Sequence, residues 1–487
     1  MSISILERAM SHPIVRLTSV SLTNFKNVRH GEVQLRHVEG HSADILALYG
    51  QNGSGKTSLI NALWILKTCL TGSPLSRRAQ TFISFRCSSA TIAFGLTVME
   101  SSKRFRVVYE VTLARRDSDG LNDASGPENI LPVYISREVL KIAVANGPSS
   151  TRLRTVMDTG RGDTFGPDII RRKFIGDSKD TLFDMAVAKR VSQRESRSFV
   201  FSEEFKEIWA NDQQRVRQNA HGKSADATLD ECITVLDALA FYGFDGLFVV
   251  DTASVDTVGL SALPLFFRMG AGEGNRISGH AILKADGPAN IPEKWLSVTK
   301  RIVSSLNIVL REIVPGLEIE IRELGKITLD DGGDGQRIQL LSRRGDVVLP
   351  FDFESEGIKK IVSVLQILIL MYNEPSVTVA IDELDSGVFE YLLGELLGIV
   401  ADGGRGQLIF TSHNLRPLET LDKQFIVFTS TDPNNRYVRM RGVKETNNLR
   451  SLYFRNIVLG GSETELYEYT SDGEIAYAMR QAGENIE

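Results

Sequence analysis

The chain has 487 residues, 42 % hydrophobic and 24 % charged, with 56 Lys+Arg against 61 Asp+Glu and a net charge of −5. This ordinary globular composition excludes a disordered acidic tail, a collagen-like repeat and a generally basic nucleic-acid coat, and it accommodates two to three packed units of ~100–200 residues each. The three cysteines (Cys69, Cys87, Cys232) are odd in number and lack a CxxC pair, which disfavours a disulfide scaffold or a zinc knuckle and fits a reducing compartment. No window reaches the ~18–20 apolar residues of a membrane span. The N-terminus also lacks the basic segment, apolar core and small-residue site of a secretory signal. A soluble, cytoplasmic protein with no membrane contact is expected.

In chain order, Ile14 to Leu22 and Val28 to Leu35 alternate as two strands around the turn Thr23-Asn24-Phe25-Lys26-Asn27. The apolar run Ile45 to Tyr49 leads into a glycine-rich turn, and Lys56 to Cys69 then takes a helical pattern. Ala90 to Met99 and Phe105 to Ala114 resemble a hairpin. From about Asn146 to Ile291 the pattern predicts helical islands, including Ser202 to Ala220 with Ser202 as cap, and Thr228 to Tyr242. Met269 to Ile291, with Gly270, Gly272, Gly274 and Gly279, reads as a loop, and Pro292 as the first position of a helix running to Ile313. Strands are expected over Leu317 to Leu324 and Arg337 to Ser342, and a helix over Gly357 to Tyr372. An alternating α/β segment closes the chain: strand Val377 to Ile381, helix Val388 to Val400, strands Gln407 to Thr411 and Gln424 to Thr429.

The strongest motif is Gly50-Gln51-Asn52-Gly53-Ser54-Gly55-Lys56-Thr57, which fits G-x-x-x-x-G-K-[ST] between a strand and a helix. Its glycines let backbone amides wrap a triphosphate at the positive end of a helix. ATP and Mg²⁺ are therefore the expected ligands. Gly50, Asn52, Gly53, Ser54, Gly55 and Ser58 form the cradle, Lys56 reaches the β- and γ-phosphates, and Thr57 ligates the metal. A second motif, Val377 to Ile381 followed by Asp382-Glu383, places two carboxylates at a sheet edge. Asp382 is expected in the Mg²⁺ shell, with Glu383 activating the attacking water.

These halves stand in opposite ends of the chain. Compact Walker ATPases and small GTPases keep them in one short core, whereas a split site resembles ABC-type heads such as those of RecF, SMC and OLD ATPases. Three further patches carry the resemblance. Leu22 to Asn27 is similar to the "NF[KR]" strand-turn near the nucleotide base, with Asn24 and Phe25 as its motif residues. Phe353 to Lys360 is similar to a degenerate S-x-G signature, in which Ser355 and Gly357 would meet the γ-phosphate of a partner protomer. Leu408 to His413 ends a strand in Thr-Ser-His, which resembles the switch histidine. The whole order resembles OLD-like, AAA-15/AAA-21 ABC-type ATPases of bacterial anti-phage systems such as PARIS, Septu and some retrons.

The resemblance implies an α/β ABC-type P-loop NTPase head with a mixed sheet. Residues 1–145 and 295–487 would be its two halves, and 146–294 a mainly helical insertion for oligomerisation or partner binding. It implies a homodimer or higher homo-oligomer, a separately encoded effector nuclease or toxin, and a phage-encoded trigger protein. The chain after His413 is shorter than the ~100 residues of a typical domain, so no nuclease is expected in cis. The alternative is a RecF/SMC-like DNA-repair ATPase clamping DNA through Arg171-Arg172-Lys173, Lys189-Arg190 or Arg343-Arg344. Ile135-Ser136-Arg137-Glu138 is the nearest region for a lid loop, and no glutamine stands out there.

Overall fold

The computed structural model describes residues 13–100, 103–116, 132–146, 149–219, 227–251, 262–271, 275–284, 287–330, 332–440, 449–459, 466 and 471–484. The N-terminal half opens with strands β1 (Ile14–Phe25), β2 (Val28–Gln34) and β3 (Asp44–Tyr49), then helix α1 (Lys56–Leu70). Strands β4 (Ser89–Glu100), β5 (Lys103–Arg115), β6 (Val133–Asn146), β7 (Ser149–Ser150) and β8 (Arg154–Asp158) follow. These strands, without β3, build one antiparallel sheet in the order β2-β1-β4-β5-β6-β7, with β8 also on β6. The expected hairpin is present as β4 and β5, paired from Ser89–Ala114 to Glu100–Lys103.

Helices α2 (Asp168–Ile175), α3 (Lys179–Arg194), α4 (Glu203–Asn219) and α5 (Ala227–Phe241) come next. Ser202 caps α4 as expected, its hydroxyl accepting from the Phe205 amide at 3.2 Å. The same span then yields strands that the pattern does not predict: β9 (Leu247–Val250), β10 (Ala262–Ala271), β11 (Asn275–Lys284) and β12 (Ala289–Pro292). The expected loop at Met269 to Ile291 is corrected here, because β10 and β11 pair as a hairpin with Gly270 and Gly279 inside the strands. Gly272 and Gly274 lie outside the described residues. Pro292 does not start a helix but ends β12, paired with Gly335, a strand-end position that needs no proline amide.

The rest comprises α6 (Leu296–Ile313), β13 (Leu317–Thr328), β14 (Asp334–Arg344), β15 (Val347–Pro350), α7 (Glu356–Asn373), β16 (Thr378–Ile381), α8 (Glu390–Gly403), β17 (Gln407–Thr411), α9 (Pro417–Thr420), β18 (Ile426–Thr429), β19 (Tyr437–Val438), α10 (Leu449–Leu459) and α11 (Asp472–Glu484). A second sheet runs β19-β18-β3-β17-β16-β9, and all its pairs except β18–β19 are parallel. A smaller antiparallel sheet holds β12, β13, β14 and β15.

Burial explains the layering. All six residues of β3 are buried, as a parallel strand covered on both faces requires. Leu46 and Leu48 pack toward α1 and the antiparallel sheet, while Ile45, Ala47 and Tyr49 pack toward α7 and α8. Helix α1 is thus enclosed between two sheets, with twelve of its fifteen residues buried. The expected α/β fold with mixed sheets is observed, and its parallel strands β3, β16 and β17 end at one edge.

Candidate functional site

The turn after β3 has a backbone that few side chains permit. Gly55 takes φ 102°, and a Cβ there would also press on Val28 and Arg436 at 3.2 Å; only glycine fits without strain. Three neighbours fix the turn. Ser54 donates to the Gln51 carbonyl at 2.5 Å and shares a hydrogen bond with the Thr429 hydroxyl. Tyr437 donates to the Gly55 carbonyl at 2.9 Å, and the Asn27 amide donates to the Gly53 carbonyl. The free amides at the start of α1 and the helix dipole converge on this turn.

Lys56 is buried, and its ammonium donates to the carbonyls of Gly50 at 2.6 Å and Gln51 at 3.1 Å. Burial lowers its pKa, opposed by the charges of Asp382, Glu383 and Asp385. Thr57 points its hydroxyl at the Asp382 carboxylate, 3.4 Å away.

Asp382 and Glu383 leave the end of β16. Thr411, ending β17, donates to Asp382 at 2.6 Å and accepts from the Glu383 amide at 2.7 Å. Glu383 has φ 50°, the left-handed region, so its carboxylate turns at a point where the chain is strained. Asp385 accepts from the backbone amides of His413 at 2.9 Å and Asn414 at 2.8 Å, which ties the histidine turn to the carboxylate loop.

These elements enclose an open cavity of about 950 Å³. Asn52, Gly53, Gly55, Lys56, Thr57 and Ser58 line one side, and Asp382, Glu383, Thr411 and His413 the other. Gly50 and Ser54 support the turn from beneath and do not line the cavity. Of the Asn24-Phe25-Lys26-Asn27 turn, Lys26 and Asn27 reach the cavity. Phe25 is fully buried against Phe82, and Asn24, at φ 54°, shapes the turn. Ser355 and Gly357 do not line this cavity either. Ser355 caps α7, accepting from the Ile358 amide at 3.4 Å. Gly357 touches the carboxylate loop so closely that a Cβ would sit 2.2 Å from the Gly387 carbonyl oxygen.

Lining residues given no site role from the sequence include Thr411, Gln80, Phe85 and Arg115. Thr411 carried a signal, since it precedes the Ser-His that marks the switch strand. Beneath the cavity, Lys26 donates to Asn61 at 3.1 Å, Asn61 to Asp251 at 3.1 Å, and Arg78 pairs with Asp251 at 3.1 Å. The Ile135–Glu138 stretch is corrected: it lies inside β6, and Glu138 is buried on Tyr109 and Ser198, away from the cavity.

The glycine-rich turn, the Thr57 hydroxyl and the paired carboxylates share one cavity, and residues 19–230 match the family model described as an AAA domain. The chain is a P-loop ATPase. No curated protein matches it significantly. Among solved structures, the chain is similar to the SMC head of Pyrococcus furiosus bound to the C-terminal domain of ScpA. That pair is 12 % identical over 88 % of this chain and 96 % of that one, with a TM-score of 0.39. The SMC head of Thermotoga maritima is 15 % identical over 88 % and 99 %, with a TM-score of 0.36. RecF with ATP, a recombination mediator of the RecFOR pathway, is 13 % identical over 82 % and 94 %, with a TM-score of 0.32. Among the described residues, no helix is long and apolar enough to cross a membrane.

Proposed function

We propose that the ATPase is an OLD-like ABC-type head in which two copies close on two ATP molecules, and that closure controls a separately encoded nuclease or toxin during phage infection. One observation carries the catalytic part of this reading. The Thr57 hydroxyl and the Asp382 carboxylate meet at 3.4 Å in a cavity that also holds Lys56, Glu383 and His413.

The chemistry follows from that placement. Lys56 exchanges its bonds to the Gly50 and Gln51 carbonyls for the β- and γ-phosphate oxygens of ATP. A hydroxyl and a carboxylate oxygen converging on one point suit a hard cation. Thr57 and Asp382 would hold Mg²⁺, which supplies positive charge where negative charge builds on the transferred phosphoryl group. Glu383, half-buried beside them, orients the attacking water and takes its proton. His413, exposed on the rim and fixed through Asp385, contacts the γ-phosphate and distinguishes ATP from ADP.

Ser355 and Gly357 stand outside their own chain's cavity, at the exposed start of α7. In this reading they complete the site of the second copy, where the amides at the start of α7 receive the γ-phosphate. Such a contact favours the closed pair only while that phosphate is present, which gives ATP its differential affinity for the two states. The defence role, the effector and a phage-encoded trigger come from the resemblance of the motifs.

Lys56→Ala tests the nucleotide assignment. Titration with a fluorescent ATP analogue should show loss of binding by at least tenfold, with hydrolysis abolished. Unchanged binding would remove Lys56 from the phosphate site.

A further inference from the structure

Two apolar helix faces stand open on this chain. Helix α11 is exposed at every described side chain from Asp472 to Ala482. Ile475, Ala478, Met479 and Ala482 fall at i, i+3, i+4 and i+7 and form one stripe, with Ile475 44 % and Met479 72 % exposed. Asp472 and Glu474 flank that stripe on either side. A solvated helix of 13 residues is marginal in water, because nucleation costs more than so few turns return. Its amphipathic face therefore calls for a covering surface.

Helix α3 presents a matching row. Phe183, Ala186, Val187 and Arg190 repeat the same i, i+3, i+4, i+7 spacing, with Phe183 69 % exposed. They line one wall of an open groove of about 410 Å³, and Arg161 and Arg171 stand across it. Arg171 is held by Asp168 and Asp177 at 3.5 Å, yet its buried Nη1 has no hydrogen-bond partner among the described residues. Asp163 and Asp168 also face the groove, and Arg161 is paired with the buried Asp158 at 3.1 Å, but the guanidiniums of Arg161, 62 % exposed, and of Arg190 at the rim carry the opposite charge to the flanks of α11.

We propose that α11 of one copy lies in the α2–α3 groove of a second copy. Alanines at the same place in both rows, Ala186 and Ala478, let the helices approach closely while Phe183 and Val187 interdigitate with Ile475 and Met479. Arg161 and Arg190 meet Asp472 and Glu474, which sets the orientation and makes association salt-dependent. This contact is separate from ATP-driven closure: it uses neither the nucleotide cavity nor the start of α7.

Directed cross-linking tests it. One form carries Phe183→Cys and a second, larger tagged form carries Met479→Cys, both with Cys87→Ser. Mild oxidation of the mixture should give a disulfide between the two forms. Arg161→Glu with Arg190→Glu should lower its yield at least tenfold, and Asp472→Lys with Glu474→Lys should restore it. A labelled peptide of residues 470–484 should bind saturably, at least tenfold more weakly to Phe183→Asp. ATP turnover by each variant reports that it is folded. Absence of the cross-chain disulfide, or equal peptide binding to Phe183→Asp, would overturn the proposal. The Lys56→Ala background should cross-link as well as the native chain, so failure of the nucleotide reading leaves this test intact.

Discussion

Glu383 sits in a left-handed conformation that costs a non-glycine residue roughly 1–2 kcal/mol. Thr411 holds it there by accepting from its amide while donating to Asp382. A carboxylate fixed at that point can act on water without rearranging. Glu383→Gln keeps the shape and removes the proposed base, so ATP should still bind while turnover falls by about 10²–10⁴-fold; hydrolysis at the native rate would exclude Glu383 as the catalytic carboxylate. Lys56 gives the pH dependence. Burial holds its pKa below the ordinary 10.5. A lysine with a lowered pKa keeps its charge below that value and loses it as pH rises through it. ATP affinity should therefore decline on the alkaline side earlier than an exposed lysine would allow. An affinity titration from about pH 7 to about pH 10 checks this, and a flat profile would contradict it.

At the scale of elements, the site depends on how two sheets grip α1. Gly72, just past its end, lies against the Phe201 carbonyl with no space for a Cβ. The 198–200 segment is in turn fastened by Glu138, which accepts from Tyr109 and Ser198 at 2.5 Å and from the Phe199 amide at 2.8 Å. Glu138→Ala strands these buried donors and should cost roughly 2–3 kcal/mol of stability in a denaturant titration; an unchanged midpoint would contradict the staple. The same element shows what the sequence hides. Strand β6 alternates, but its inward position holds a glutamate, so Glu138 reads as a polar surface residue. Strand β9, after α5 and a π-turn at Tyr242–Gly246, is only the four residues Leu247 to Val250, too short a run to show a strand's alternation. The β10–β11 hairpin carries glycines in its strands, which resemble a loop. By contrast, the phosphate loop was legible because its backbone demands glycines at fixed spacing. Asp382-Glu383 was legible because a wholly apolar strand delivers it. Lys26 stands in the NF[KR] turn, whereas Gln80, Phe85 and Arg115 reach the cavity through tertiary packing, and no local pattern marks those three.

For the whole molecule, charge separates the two readings of the output. A DNA clamp needs a free basic stripe, since phosphate contacts supply most of the affinity. Arg171 and Arg172 instead pair with Asp177, Arg343 with Glu320 and Arg344 with Glu354, while Lys189 is buried and donates to the Gly162 carbonyl; Arg190 is exposed but a single cation makes no stripe. With a net charge of −5, protein partners suit this surface better than duplex DNA. The residues between 146 and 294 also join the two halves physically, because β9 is an edge strand of the same parallel sheet as β3. The most direct measurement is the mass of Glu383→Gln by light scattering, in the Phe183→Asp background that removes the nucleotide-independent contact, with Mg²⁺-ATP and then with Mg²⁺-ADP. ATP-driven closure predicts that ATP doubles the mass relative to ADP, and that Lys56→Ala abolishes the difference. A mass that is the same with either nucleotide, in a variant shown to bind ATP, would contradict it.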